Sequence, residues 1–223
     1  MLLAGVLSIP AGWFALVLIE RGPGDQPFLR PVRGFARSGR EVTVQVFVTV
    51  GCVAMAMRFG SAPLAMMIAM IALITVLIAL SIIDMATYRL PDRIVLPALC
   101  GSIVWMTAVS LIAGRPEDVR SALVGALAFF IVLFAAHLVS PRGMGFGDVK
   151  LAALMGLFLG WATDTVLDAV VLVLWAMLIG FAIGTVAGFV ILLRRRSNQP
   201  FPFGPFLAAG TVLALLASSL ILG

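Results

Sequence analysis

Three of the ten acidic residues in this chain, Asp84, Asp92 and Asp148, stand at the margins of long apolar runs. Asp84 closes one such run, in Ile82-Ile83-Asp84-Met85-Ala86-Thr87-Tyr88-Arg89. A carboxylate at the C-terminal end of a helix faces unpaired carbonyls and the negative pole of the dipole, so structure alone gives it little reason to be there. Pairing with Arg89 is the structural alternative. Asp148 closes Gly143-Met144-Gly145-Phe146-Gly147-Asp148 and precedes another run. An aspartate there is an ordinary helix N-cap, but a cap needs none of the three glycines. Glycines let a second backbone approach closely, as an extended peptide substrate requires. Asp92, after Pro91, is expected to be an N-cap. Glu20, Asp25, Glu41, Glu117, Asp118 and Asp164 lie in or beside loops and are expected to be solvated. Asp168 falls in the first turn of a run, where the dipole tolerates an anion.

Two carboxylates that share a site cannot both ionise cheaply, so one keeps its proton near neutral pH. The ionised member can then take a proton from water while the other protonates a scissile carbonyl oxygen, which is the chemistry of an aspartyl peptidase. The negative end of the helix beside Asp84 assigns the proton to Asp84 and the base role to Asp148, although such a pair titrates as a unit. Other chemistries lack their residues. His137 is the sole histidine and lies inside an apolar run, which suits a hydrogen-bonded bundle residue and gives a Ser-His-Asp triad no support. A two-histidine zinc helix is impossible, and no phosphate-binding glycine loop with its lysine is present. Cys52 and Cys100 stand alone, without a partner at zinc spacing. No metal and no cofactor is expected.

The elements that carry these acids must live in a membrane. The 223 residues are 62% hydrophobic and 11% charged, against about 25% charged in a soluble domain. Lipid offers no hydrogen bonds to backbone, and the runs show no period-two alternation, so the spans are helices rather than barrel strands. Eight apolar runs are read at about 2–19, 43–58, 64–83, 94–113, 121–140, 149–161, 166–193 and 205–222. The predicted fold is therefore an all-α polytopic bundle of about eight transmembrane helices, in one domain spanning 1–223, with an arginine-rich loop over residues 20–42. Twelve of the fifteen Lys and Arg residues fall on alternate loops, among them Arg21, Arg30, Arg89, Arg93, Arg142, Lys150 and Arg194. The positive-inside rule puts those loops, and with them both aspartates, on the cytoplasmic side and both termini outside. Charge spread over loops in this way indicates membrane orientation and not nucleic-acid binding. The sequence leaves the oligomeric state open. A proton- or cation-coupled transporter is the alternative that paired acids and a short sixth run would also suit.

Gly145-Phe146-Gly147-Asp148 with Lys150 resembles the GxGD signature of the type IV prepilin peptidases and their archaeal preflagellin relatives. Asp84 followed by Leu90-Pro91-Asp92-Arg93 and Pro97 resembles the family's other aspartate block, and Phe201-Pro202-Phe203-Gly204-Pro205-Phe206 resembles its Pro-Phe-Gly-Pro stretch. The resemblance runs from about residue 41 to 210. It implies Asp84 and Asp148 as catalytic aspartates, with Gly145, Phe146, Gly147 and Lys150 in the active-site loop. It also implies a prepilin or pseudopilin substrate, whose short basic leader is removed at the cytoplasmic face of the inner membrane. Many bacterial members also N-methylate the new terminus and carry two CxxC pairs in a large loop after the first span. The loop here contains no cysteine, so the expectation is a short form with peptidase activity alone.

Overall fold

The computed structural model describes residues 2–23, 39–141, 144–194 and 202–223. Among them the chain is helical and forms no strand, in the order α1 (Leu2–Arg21), α2 (Gly39–Phe59), α3 (Leu64–Thr87), α4 (Asp92–Ile112), α5 (Pro116–Val139), α6 (Phe146–Trp161), α7 (Val166–Arg194), α8 (Gly204–Leu216) and α9 (Ser218–Ile221). The eight long helices coincide with the eight apolar runs. Five of them, α2, α3, α4, α5 and α7, are long and apolar enough to cross a membrane. Large apolar side chains face outward along them, with Ile112 and Val139 each 88% exposed. Water would not tolerate that surface, and lipid would. The chain is a polytopic membrane bundle.

Two compact units divide the contacts, Met1–Ile83 and Asp84–Gly223. In the first, α1 pairs with α2 through a small polar cluster: Gln45 Nε2 donates to the Ser8 carbonyl at 2.9 Å, and Thr49 Oγ1 donates to Ser8 Oγ at 3.3 Å. Bonds of this kind hold helices together where no hydrophobic gradient exists to do so. The arginine-rich loop lies mostly outside the described residues. Its first two positions, Glu20 and Arg21, belong to α1 and its last four, 39–42, to α2, so both ends are helical rather than looped. Glu41 sits in the first turn of α2, where the dipole favours an anion, and Thr43 Oγ1 bonds back to the Gly39 carbonyl.

The second unit is built around α6. Sixteen residues rise about 24 Å, short of the ~30 Å hydrocarbon layer. The helix has no need to reach both surfaces, because it is buried from Leu154 through Trp161 and lined by neighbouring helices instead of lipid. Glycines set how close those neighbours come. A β-carbon on Gly160 would sit 2.9 Å from Ala122 Cα of α5, and one on Gly156 would sit 2.9 Å from Phe129 Cβ. Likewise Gly210 of α8 leaves room only for the α7 backbone at Ala176 and Gly180. The Gly180–Gly184 pair therefore packs within the bundle, against Leu207 and Phe206. Trp161 Nε1 donates to Ser110 Oγ at 3.0 Å, joining α6 to α4.

Candidate active site

Asp84 and Asp148 meet at the first residue of α8. Both are buried polar residues, 5% and 7% exposed. Asp84 belongs to the last turn of α3, and Asp148 is the third residue of α6. Gly204 opens α8 and donates its backbone N–H to Asp84 Oδ2 at 3.1 Å. A β-carbon placed on Gly204 would lie 2.9 Å from Asp84 Oδ2 and 3.6 Å from Asp148 Oδ1. One small volume beside a bare α-carbon is thus bordered by both carboxylates, whose facing oxygens can be no further apart than the sum of those two distances.

Local chemistry explains each placement. The chain leaves α3 through Tyr88, whose φ of 54° makes it the one described non-glycine residue in the left-handed region. Its N–H bonds the Asp84 carbonyl at 2.8 Å, and Thr87 Oγ1 donates to the Arg89 carbonyl at 3.1 Å. Pro91 then forbids helix continuation and starts α4 from an extended conformation. The turn carries Leu90 onto the backbone of Gly147, where a β-carbon would come within 2.9 Å of Leu90 Cβ. Gly147 is therefore the contact that lets the α3–α4 turn lie against the start of α6.

Asp148 does not cap its helix. Gly145 occupies that position with an extended backbone, and the Asp148 N–H bonds the Gly145 carbonyl at 3.1 Å. The carboxylate lies between the Gly145 backbone, which it also accepts from, and Gly204. Gly145 has only Asp148 Oδ2 at 3.8 Å and Gly147 N at 3.9 Å near its missing β-carbon, which is ordinary contact. Phe146, Gly147 and Lys150 belong to α6 itself and not to a loop, because the helix begins at Phe146. Phe146 packs on His137 and Phe134 with ring centroids 5.5 and 6.3 Å away. His137 Nδ1 lies 2.8 Å from the Met144 carbonyl, so the histidine is a bonded bundle residue that secures the approach to α6.

Asp92 departs from the capping role its position suggests. Its two oxygens each accept from Lys150 Nζ at 2.7 Å, and that ammonium also sits 5.1 Å from the Phe146 ring centroid. The pair ties the start of α4 to the first turn of α6. A lysine offers a better partner than the helix's own amides, and Pro91 supplies no side-chain cap. Asp168 behaves as expected in the first turn of α7, with Thr165 Oγ1 donating to its Oδ2 at 2.7 Å and accepting from its N–H at 3.1 Å. Asp164 accepts from Arg115 Nη2 at 2.9 Å. Gly204 is marked in the sequence only as part of the Pro-Phe-Gly-Pro stretch, with no place in the site. Its signal is a glycine followed by proline at the start of an apolar run, where the first amides of a helix lack internal partners.

Residues 71–189 match the model of the type IV leader peptidase family; that stretch contains Asp84 and Asp148 and stops short of Gly204. A prepilin leader peptidase/N-methyltransferase of Aeromonas hydrophila is 33% identical over 184 residues, covering 80% of this chain and 59% of the relative. One from Burkholderia pseudomallei (strain K96243) is 40% identical over 147 residues, covering 62% and 43%. One from Escherichia coli (strain K12) is 33% identical over 171 residues, covering 74% and 70%. The chain spans about half the length of several of the curated relatives it matches. No solved structure matches.

Proposed function

This chain belongs to the type IV leader peptidase family, and we propose that it is a membrane aspartyl endopeptidase that removes the short basic leader of type IV prepilins or pseudopilins. It acts at the cytoplasmic face of the inner membrane, with both termini outside. One observation carries this: Asp84 and Asp148, from the ends of different helices, are both buried and border one volume at Gly204. A single-domain role for residues 1–223 and a type II secretion or pilus setting belong to the same proposal.

The mechanism uses a pair that shares one proton. The ionised carboxylate accepts a proton from a water held between the pair, and the water oxygen bonds to the scissile carbonyl carbon. The protonated carboxyl gives its proton to the carbonyl oxygen, yielding a neutral gem-diol. The first carboxyl, now protonated, delivers its proton to the amide nitrogen as the C–N bond breaks. The second carboxylate takes back a proton from one diol oxygen, leaving the leader's carboxylic acid and the free amine of the mature chain. The pair ends with the single proton it began with. A basic leader is drawn toward an acidic site. N-methylation of the product is not part of this proposal.

Reconstitution into liposomes with a purified prepilin tests the function. Release of the leader, and a product whose sequence begins directly after it, is the expected result. Dissipation of an imposed proton gradient with the precursor left intact would favour the transporter alternative and remove the peptidase.

A further inference from the structure

The first turn of α8 has a complete account of its amides save one. The N–H groups of Phe206 and Leu207 both bond the Phe203 carbonyl, at 3.2 and 3.3 Å. Pro205 has none to offer. The remaining donor of the opening turn, that of Gly204, goes to Asp84 Oδ2 at 3.1 Å across 120 residues of sequence. Asp84 therefore stands between two helix ends of opposite sign, the C-terminal end of α3 that carries it and the N-terminal end of α8 that bonds it. The α8 end makes a direct hydrogen bond to the carboxylate, whereas the negative pole of the α3 dipole can only repel it. A donor aimed at an oxygen favours the ionised form of that group.

We propose that Gly204 is a positioning residue for the pair: its amide holds Asp84 as the ionised partner, and its bare α-carbon keeps open the volume that both carboxylates face. This deepens the peptidase reading and rests on it for the role of the two acids. It also reverses the assignment drawn from the α3 dipole alone, making Asp84 the base and Asp148 the proton donor. The second part follows from space. A methyl on Gly204 would sit 2.9 Å from Asp84 Oδ2 and 3.6 Å from Asp148 Oδ1, so the Asp84 carboxylate must turn away and give up the bond. Backbone conformation is no obstacle to alanine, because Gly204 is not among the described glycines with positive φ.

The charged and titratable groups on the surrounding elements are few, and Asp148 has a backbone partner of its own at Gly145. On α6 these are Asp148 itself and Lys150, whose ammonium is held by Asp92 of α4. On α4 there is also Arg93, and in the turn after α3 Tyr88 and Arg89. His137 of α5 is engaged with the Met144 carbonyl. From Gly204 to Leu216, α8 has no titratable side chain, and α7 has none between Asp168 and Arg194.

The test compares purified full-length wild type with Gly204→Ala, and with Gly210→Ala as a packing change in the same helix. Gly210 faces the α7 backbone instead of the pair. With prepilin as substrate, Gly204→Ala should lower kcat at least about tenfold while leaving KM unchanged. The acid limb of its pH–rate profile should move toward alkaline pH by about one unit, as expected for loss of a charge-assisted hydrogen bond. The alkaline limb should stay in place. Gly210→Ala should lower thermal stability without moving either limb. Movement of the alkaline limb instead would make Asp84 the proton holder and overturn the proposal. A second measurement needs no substrate. The carboxyl infrared band of Asp84, assigned by its loss in Asp84→Asn, should titrate differently in Gly204→Ala than in wild type; coincident curves overturn the proposal. In wild type, the Gly204 amide resonance should titrate together with Asp84, which decides the matter if the alanine variant does not fold. An amide indifferent to pH overturns the proposal too. Because the spectroscopic arms do not depend on cleavage, the inference can fail while the peptidase stands, and the reverse.

Discussion

The two glycines of Gly145-Phe146-Gly147-Asp148 are predicted to be unequal, although the motif treats them alike. Gly147→Ala places a β-carbon 2.9 Å from Leu90 Cβ, 3.5 Å from its Cδ1 and 3.6 Å from its Cγ. Carbon atoms meet comfortably at about 3.5–4.0 Å, so the Leu90 backbone and the first turn of α6 must separate by roughly half an ångström or more. The nearest atom is a β-carbon, which follows its backbone and cannot escape by changing rotamer. Overpacking of this kind costs about 1–3 kcal/mol. The movement also falls one residue from Asp148, and a misplacement near 1 Å at a reacting group can reduce rate about a hundredfold. Gly145→Ala meets nothing closer than 3.8 Å at a backbone φ of −68°, so it should be within a few-fold of wild type. The assay is in vitro cleavage of a purified prepilin by each variant in detergent micelles, with thermal unfolding measured beside it. Gly147→Ala should lose at least about tenfold in kcat, the rate equivalent of 1.4 kcal/mol. Adding Leu90→Gly should restore part of that loss, giving a clearly non-additive double-mutant cycle. Equal effects of the two alanine substitutions, or a fully active and stable Gly147→Ala, would refute the packing account.

Further outcomes follow from the same geometry. The pH–rate profile of cleavage should be bell-shaped, falling in acid as the pair gains its second proton and in alkali as it loses its only one; a flat profile across both limbs would contradict a shared proton. Lys150→Met should cost no more than about 1 kcal/mol of stability and a few-fold in rate, because the ion pair to a 55% exposed Asp92 side chain is open to solvent; loss of all cleavage would show that Lys150 touches the substrate. Gly160→Ala, which drives a methyl into the α5 backbone at Ser121 and Ala122, should lower the unfolding midpoint clearly more than Gly101→Ala, whose β-carbon would meet nothing within 4 Å; equal midpoints would deny the close α5–α6 approach.

Much of this architecture is legible in the sequence, for specific reasons. Helix positions follow from uninterrupted apolar runs closed by Gly, Pro and Arg, and the all-helical class follows from lipid's inability to satisfy open backbone. Asp84 and Asp148 stand out because acids are so few. What the sequence does not give is facing. A helix such as α8 is apolar on every side, so no stripe marks which side turns inward. The burial of α6 on all sides, and the arrival of Gly204 beside Asp84, therefore depend on tertiary packing that no local pattern encodes. Asp92 illustrates a second limit. A polar residue after proline at a helix start reads as a cap, and only the position of Lys150, fifty-eight residues on, reveals an ion pair instead. Gly204 illustrates a third, because a hydrogen bond from a backbone amide leaves no side-chain signature.

Cleavage of a prepilin by Asp84→Asn and Asp148→Asn, measured under single-turnover conditions with enzyme in excess, probes the carboxyl pair itself. Asparagine keeps each side chain's size, so both variants should insert and unfold like wild type. Each should lose about 10²–10⁴ or more in rate, the contribution of a positioned acid or base. Retention of near-normal cleavage by either folded variant would contradict a mechanism in which these two carboxyl groups work as one unit.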